Sequence, residues 1–145
     1  MAVGRQFCTF FLNGLFFGVE VEKVQEVIRY QEMTKVPLAP PVVGGLINLR
    51  GQIVIALDLR RRIDLPDRAP DQLPMNVVVR TDDGAVSLLV DEIGDVIEVD
   101  EGAFERPPET LQGASRDLIR GAYKLKDRLL IVLDANRIVR VENAA

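Results

Sequence analysis

Short apolar runs separated by polar turns dominate the chain, and this pattern is typical of β-strands. The runs on either side of Asn13-Gly14 predict a hairpin over residues 7–21, because that dipeptide readily adopts the positive φ angles of a tight turn. The runs on either side of Asp83-Gly84 predict a second hairpin over residues 77–90. Strands joined in this way favour small barrels or a sandwich over a parallel sheet with crossover helices.

Two further hairpins are predicted at residues 49–53 and 125–129, where a polar turn interrupts apolar residues. The strands that follow end at Asp58 and Asp134, whose side chains are suited to cap short helical turns. The segment from Val21 to Ile28 has two interpretations. It fits a strand, and its valines also recur at a spacing that fits one apolar face of a short helix.

The chain contains a repeated pattern, which predicts two related halves. The segment 21–28 aligns with the segment 90–97 at an offset of 69, and apolar residues fall on apolar ones and acids on acids. The segment 45–58 aligns with the segment 121–134 at an offset of 76. The second unit is therefore longer by seven residues, which fall between Asp100 and Arg120. Prolines and a glycine in that stretch predict an irregular connection.

The repeat predicts two small packed β-barrels, subdomain one at residues 15–65 and subdomain two at residues 75–140. The proline-containing stretch 65–74 separates them, and the chain termini can cross between subdomains to cover exposed strand edges. Units of about 70 residues are marginally stable alone. We therefore expect tight packing of the two barrels, with a groove between them.

The chain has no histidine and one cysteine, Cys8. Without histidine there is no Ser-His-Asp or Cys-His catalysis and no imidazole ligand for a metal. Two-carboxylate hydrolysis remains formally possible, but no motif isolates a pair of acids in an apolar pocket. We therefore expect no catalysis, no metal and no cofactor, and we expect Cys8 to pack as a small apolar side chain.

The charge distribution argues against nucleic acid and membrane partners. The net charge is -4, and the basic residues form no stripe that would follow a phosphate backbone. The longest apolar runs are strand-sized, far short of the roughly 20 residues of a spanning helix. No targeting signal is visible at the amino terminus. These features predict a soluble cytoplasmic protein without direct membrane insertion.

Several segments together resemble the CheW coupling proteins of bacterial chemotaxis. In the first half these are residues 24–27, 45–51 and 53–60, and in the second half residues 88–96 and 127–134. The resemblance covers nearly the whole chain, and the order and spacing of the segments are specific. It implies an all-β fold of two packed five-stranded SH3-like β-barrels with a few short helical turns, in agreement with the repeat.

The resemblance also implies a function. CheW-like proteins bridge the cytoplasmic tip of methyl-accepting receptors to the regulatory domain of the histidine kinase CheA in signalling arrays at the inner membrane, and they catalyse nothing themselves. Two alternatives stay open. One is a CheW-like scaffold of another signalling pathway, such as motility or biofilm formation, and the other is a small-molecule-binding β-barrel with a deep pocket.

Site residues follow from the resemblance alone. It assigns the receptor-facing groove to Val24, Glu26, Val27, Gly45, Arg50, Val90 and Val96. Glu26 and Arg50 either pair at the rim of the groove or are two solvated charges. The valines equally fit a core, and Gly45 equally fits a position that the strand backbone requires. The kinase contact is expected in the extra stretch of the second half, at Glu105 and Arg106.

Overall fold

The predicted strands are present in a computed structural model, which describes residues 5–82, 84–105 and 117–140. Eleven strands lie in these residues: β1 (Arg5–Leu12), β2 (Leu15–Glu20), β3 (Val24–Ile28), β4 (Val43–Leu49), β5 (Gln52–Asp58), β6 (Met75–Thr81), β7 (Gly84–Val90), β8 (Glu92–Val99), β9 (Phe104–Glu105), β10 (Ile119–Lys124) and β11 (Leu129–Leu133). The described residues also contain two short helices, α1 (Leu59–Arg62) and α2 (Ala135–Ile138), and the 3-10 turns Val21–Lys23 and Glu101–Ala103.

The strands form two sheets. The five-stranded sheet has the order β3-β6-β7-β5-β4, and the six-stranded sheet has the order β8-β1-β2-β11-β10-β9. Pairing is antiparallel except where β5 meets β7 and where β11 meets β2. The mostly-β architecture predicted from the sequence is therefore confirmed.

The strand register confirms the internal repeat. In the β4–β5 hairpin Gly45 lies opposite Ala56, directly after an irregularity that begins at Val43. In the β10–β11 hairpin Gly121 lies opposite Val132, after an irregularity that begins at Ile119. The two register shifts lie at positions that differ by the offset of 76 found in the sequence. The aligned segments therefore share the same pattern of strand pairing.

The other alignment of the repeat describes the edge strands. Val27 of β3 lies opposite Val77 of β6, and Val96 of β8 lies opposite Cys8 of β1. The order β3-β6-β7-β5-β4 is thus equivalent, strand by strand, to the order β8-β1-β2-β11-β10. The two-residue strand β9 is the additional member of the six-stranded sheet.

Each sheet contains a hairpin from the other part of the chain. β1 and β2 lie in the six-stranded sheet with the late strands, whereas β6 and β7 lie in the five-stranded sheet with the early ones. Sheet membership therefore does not follow the ranges 15–65 and 75–140 strand for strand, and the division into those subdomains stays a prediction. An offset identifies equivalent segments, but it does not tell which neighbour each of them pairs with.

The chain returns from one edge of each sheet to the other. After β3 it reaches Thr34, whose N–H and C=O exchange hydrogen bonds of 2.9 and 2.8 Å with Leu46 of β4. After β8 the 3-10 turn leads into β9, which pairs with β10. These contacts pair part of the outer backbone of β4 and of β10.

The largest apolar cluster contains side chains from both sheets and both helices. Phe10 and Phe17 enter it from the six-stranded sheet and Leu88 from the five-stranded sheet, with Leu59 and Ile138 from the helices. The two sheets therefore share one core and are held together by its burial. Cys8 is buried in the same cluster, as predicted, and burial raises the pKa of its thiol.

The segment from Val21 to Ile28 is a 3-10 turn followed by strand β3, so the helical interpretation was wrong. Pairing with β6 satisfies its backbone as a strand, and this long-range contact cannot be read from local spacing. The two helix caps are confirmed. Asp58 Oδ1 accepts a hydrogen bond from the N–H of Arg60, and Asp134 Oδ1 accepts one from the N–H of Arg137.

Candidate interaction site

Glu26 and Arg50 form an ion pair at the end of the five-stranded sheet. Strand β3 carries Glu26, and Arg50 begins the tight turn between β4 and β5, where both Arg50 and Gly51 have positive φ angles. Asn48 Oδ1 supports this turn by accepting a 2.8 Å hydrogen bond from the N–H of Gly51. The Arg50 guanidinium donates to the Glu26 carboxylate, and this bond lowers the pKa of Glu26.

The ion pair connects the two edges of its sheet. β3 and β4 are the outermost strands in the order, so a contact between Glu26 and the turn after β4 spans the sheet from edge to edge. The side chain of Glu26 is 20% exposed and that of Arg50 is 73% exposed. Arg50 therefore presents most of its charged surface to solvent while Glu26 fixes its direction.

Two of the predicted valines lie at the surface in equivalent places. Val27 is 39% exposed on β3, and Val96, its counterpart in the repeat, is 56% exposed on β8. Both β3 and β8 are edge strands of their sheets. Val24 differs, because it is partly buried and packs against the shared core.

Gly45 and Val90 are not placed at the surface. Val90 is fully buried in the shared core. Gly45 is also buried, has a φ of +154°, and a Cβ on it would lie 2.8 Å from the carbonyl oxygen of Thr34. The glycine is needed where the returning chain crosses β4, which is the backbone role considered for it from the sequence.

The corresponding place in the six-stranded sheet is built differently. The counterparts of Glu26 and Arg50 are Asp95 and Lys126, and among the described residues no ion pair joins these two. They line an open cleft of about 410 Å³ together with Phe16. The Arg128 guanidinium lies 4.8 Å from the centre of the Phe16 ring, close enough for a cation–π contact.

Sequence reasoning missed this aromatic cleft. In the aligned segments of the repeat, Gly94 takes the place of Gln25. The loss of a side chain at this position was a signal in the sequence that the surface of the second half differs from that of the first. A Cβ at Gly94 would collide with the hydroxyl of Thr9. The two halves have therefore diverged in the part of the sheet where the first half carries its ion pair.

The predicted kinase-contact residues are only partly described. Glu105 is exposed on β9, opposite Ala122 of β10, and Arg106 lies outside the described residues. Sequence reasoning missed the neighbouring Phe104, a half-exposed aromatic side chain that packs edge-on against Tyr123 at 5.6 Å between ring centres.

A buried ionic cluster that the sequence did not predict lies around Asp91. Its carboxylate accepts hydrogen bonds from Arg60 at 2.5 to 3.1 Å, from Arg68 at 3.1 Å and from the N–H of Asn13 at 2.8 Å. Burial alone raises the pKa of Asp91, but the hydrogen bonds from Arg60 and Asn13 and the charges of Arg60 and Arg68 outweigh it and lower that pKa overall. The cluster joins α1, the stretch 65–74, the β1–β2 turn and the connection from β7 to β8, so its role is structural.

No group of three or more His, Cys, Asp or Glu side chains suited to a metal ion occurs within residues 5–82, 84–105 and 117–140. In the same described part of the chain, no helix has the length and apolar composition needed to cross a membrane. Apart from the buried Val90, Gly45 and Asp91 cluster, the positions described are surface side chains, an ion pair and an open cleft. Such features suit contact with another macromolecule.

A family model described as the CheW-like domain matches residues 6–143. The chain belongs to the CheW-like family. It is 33% identical over 141 residues to the chemotaxis protein CheW of Bacillus subtilis, covering 97% of this chain and 90% of that protein. It is 28% identical over 143 residues to the chemotaxis protein CheW of Klebsiella aerogenes, covering 99% and 86% respectively.

The fold agrees with a solved CheW structure. The scaffolding protein TtCheW from Thermoanaerobacter tengcongensis superposes with a TM-score of 0.85 at 27% sequence identity, covering 96% of this chain and 94% of that one. The family resemblance found in the sequence is therefore confirmed, and the chain is a CheW-like protein of the adaptor and scaffold family in chemotaxis.

Proposed function

We propose that this CheW-like protein is a non-catalytic adaptor that couples the cytoplasmic tips of methyl-accepting receptors to a CheA-type histidine kinase. The observation that carries the proposal is the ion pair between Glu26 and Arg50. The CheW resemblance assigns both residues to the receptor contact, and the fold orients Arg50 outward from a largely buried partner. The protein would act in the cytoplasm, at receptor arrays on the inner membrane.

The exposed valines support a helical partner. A helix docks by laying apolar side chains on an apolar surface while charges at the margin set its register. Val27 follows Glu26 directly on β3, and Val96 repeats its place on β8. We assign receptor binding to two apolar positions, Val27 and Val96, and to the charged position Arg50. Val24 supports this surface by packing β3 against the core.

Gly45 and Val90 act on this surface indirectly. Gly45 allows the segment around Thr34 to pack closely against β4, and β4 leads into the turn that carries Arg50. Val90 ends β7 within the core, directly before the buried Asp91. Substitution of Gly45 would disturb the receptor surface through the backbone, and substitution of Val90 would disturb it through the core packing.

The kinase contact is assigned to the stretch around Glu105 and Arg106 in the second half. Support comes from the neighbouring Phe104, because exposed aromatic side chains are enriched at protein interfaces. Arg50 and Val27 lie on the five-stranded sheet, whereas Glu105 lies on β9 of the six-stranded sheet, at the opposite end of the strand order from Val96. The receptor and kinase surfaces would then be separate, so one chain can hold both partners together.

Receptor binding tests the proposal. An immobilised helical-hairpin fragment of a methyl-accepting receptor should bind the wild-type chain, and Glu26→Arg or Arg50→Glu should weaken that binding at least tenfold. The matched control is Arg5→Glu, which breaks the exposed ion pair between Arg5 of β1 and Glu101 of the 3-10 turn after β8 and should leave receptor binding unchanged. Wild-type affinity in both Glu26→Arg and Arg50→Glu would contradict the assignment.

A pull-down from the native cytoplasm separates the other functions. Recovery of a receptor and a CheA-type kinase supports the chemotaxis role. Recovery of receptors and kinases of a motility or biofilm system would instead favour a CheW-like scaffold of that pathway. Recovery of neither partner would favour a small-molecule-binding protein.

A further inference from the structure

Two isoleucine side chains of β5 are exposed close to the turn that carries Arg50. Ile53 is 62% exposed and Ile55 is 46% exposed, whereas Val54 between them is buried in the small core of the five-stranded sheet. Side chains two residues apart on a strand lie on the same face of the sheet. Ile53 and Ile55 therefore form an apolar pair on the face opposite that small core, and we name it the isoleucine pair.

The strand register places the isoleucine pair on the same face as the exposed Val27. A row of directly opposed residues crosses the sheet from β3 to β5, and its members are Val27, Val77, Leu88 and Leu57. Residues opposite each other in neighbouring strands have their side chains on one face. Leu57 lies two residues after Ile55, so the isoleucine pair belongs to this face too. The middle of the face is buried in the core that the two sheets share.

The ion pair between Glu26 and Arg50 connects Val27 to the isoleucine pair. Glu26 directly precedes Val27 on β3, and Arg50 lies three residues before Ile53, at the turn into β5. The contact between the two charged side chains brings β3 to that turn. The isoleucine pair is therefore continuous with the surface that we assign to the receptor.

The second half of the repeat buries the corresponding positions. Ile131, the counterpart of Ile55, is 3% exposed and lies in the shared core. Leu129, the counterpart of Ile53, packs against the same core. The first half thus leaves open an apolar pair that the second half covers within the chain. Apolar side chains of this kind form the buried centre of an interface when a partner covers them.

We propose that the isoleucine pair is the apolar anchor of the receptor contact and binds one helix of the receptor tip, an inference that rests on the proposed function. Side chains two residues apart on a strand are separated by roughly 6.7 Å along it. Side chains four residues apart on a helix are separated by about 6 Å along the helix axis. A helix lying along β5 therefore places aliphatic side chains at positions i and i+4 on Ile53 and Ile55.

Arg50 specifies a charge on the same helix. Among the described residues its guanidinium makes one hydrogen bond, to Glu26, and the side chain is 73% exposed. Because a guanidinium has several N–H donors, it can bind a carboxylate of the partner and keep Glu26. Arg50 is three residues, at most about 10 Å, from Ile53 along the chain. The partner helix therefore carries an acidic residue within about two turns of its aliphatic pair.

Surface plasmon resonance with an immobilised helical-hairpin fragment of a methyl-accepting receptor tests the anchor. The double variant Ile53→Thr/Ile55→Thr should weaken binding at least tenfold, because it removes the apolar contact but keeps β-branched side chains in the strand. Its thermal unfolding midpoint should stay close to that of the wild type. The matched control is Leu73→Thr, at a leucine that is 59% exposed in the stretch 65–74, and it should bind as wild type.

Photo-crosslinking identifies the occupant. The full chain with p-benzoylphenylalanine at position 53 should crosslink to the receptor fragment, and the chain with the same group at position 73 should not. Crosslinks from position 53 that join only two copies of this chain would overturn the proposal and assign the isoleucine pair to self-association.

The binding data separate this inference from the proposed function. If Arg50→Glu weakens receptor binding while Ile53→Thr/Ile55→Thr binds as wild type, the anchor is overturned and the adaptor role stands. If the wild-type chain does not bind the receptor fragment, the adaptor role fails and the anchor fails with it.

Discussion

Glu26 and Arg50 join the opposite edges of the five-stranded sheet through one ion pair, and within the described residues their counterparts in the six-stranded sheet, Asp95 and Lys126, do not. At equivalent positions of the repeat, the first half therefore has an ion pair across its sheet and the second half has an open cleft. In the second half an aromatic cleft with Phe16 and Arg128 takes the place of the ion pair.

The pairing predicts the titration of Glu26. Its pKa lies below the ordinary glutamate value of about 4.3 because Arg50 donates to the carboxylate. Since the pKa is lower in the folded state, the contribution of the pair to stability is present above the unfolded-state value and is lost as the pH falls through the folded-state one. Carboxyl NMR titration should show the pKa of Glu26 rising in Arg50→Gln.

The control for this titration is Arg5→Gln, because Arg5 lies on β1 of the other sheet and its partner Glu101 lies in the 3-10 turn after β8. It should leave the pKa of Glu26 at its wild-type value. An identical Glu26 titration in wild type and Arg50→Gln would show that the ion pair does not persist in solution.

The Asp91 cluster predicts the acid stability of the fold. Removal of one partner from a buried ion pair costs about 3–5 kcal/mol, so Asp91→Asn should lower the free energy of unfolding at pH 7 by an amount of this order. Because the pKa of Asp91 is lower in the folded state, its contribution is present above the unfolded-state value of about 3.9 and is lost as the pH falls through the folded-state value. Urea unfolding at several pH values measures both effects.

In Asp91→Asn the decline of stability below about pH 4 should be shallower than in the wild type, because the variant has already lost the titrating group. Glu101→Gln, at an exposed ion pair, should change the stability at pH 7 very little. Equal stability of Asp91→Asn and wild type would mean that the cluster contributes nothing to the fold.

Gly45 predicts a backbone effect. Gly45→Ala forces a side chain into a positive-φ position and against the carbonyl oxygen of Thr34, so we expect a loss of about 1–3 kcal/mol in the free energy of unfolding. Gly102→Ala is the matched control, because its new Cβ would meet no atom closer than 3.5 Å. The measurement is the thermal unfolding midpoint of each variant. Equal midpoints for Gly45→Ala and Gly102→Ala would show that the Thr34 carbonyl oxygen does not lie close to Gly45.

Arg62 predicts a link between the two halves. Arg62→Ala removes the hydrogen bonds to the last carbonyls of α2 and should cost at least about 1.5 kcal/mol. Amide hydrogen exchange should accelerate for residues 135–140 more than for the strands. The control is Arg140→Ala, which removes the same charge but keeps the Arg62 hydrogen bonds. If amide exchange of α2 accelerated in Arg140→Ala and not in Arg62→Ala, the role assigned to Arg62 would be contradicted.

The hairpins, the helix caps and the repeat could be predicted because each depends on local residue types. Asn13-Gly14 sets a tight turn, Asp58 and Asp134 cap their helices, and both alignments of the repeat reappear in the strand register. The exchange of hairpins between sheets could not be predicted, since equivalence of two segments does not specify their pairing partners.

The site was predictable to a smaller extent. From the sequence, Glu26 and Arg50 were either an ion pair or two separate solvated charges. The structure shows the ion pair, which depends on the fold bringing β3 next to the turn between β4 and β5. Burial separated Val90 and Gly45 from the exposed Val27, although all three fit the same family pattern. Side-chain exposure depends on which strands cover a position, and periodicity does not contain that information.

Co-sedimentation with receptor-containing membranes tests the adaptor role most directly. A CheA-type kinase should sediment with the membranes when the wild-type chain is added, remain in the supernatant when Glu26→Arg is added, and sediment again with the control Asp71→Arg, which reverses an exposed charge in the stretch 65–74. If the kinase sediments equally with and without the wild-type chain, or remains in the supernatant in its presence, the protein does not couple receptor to kinase.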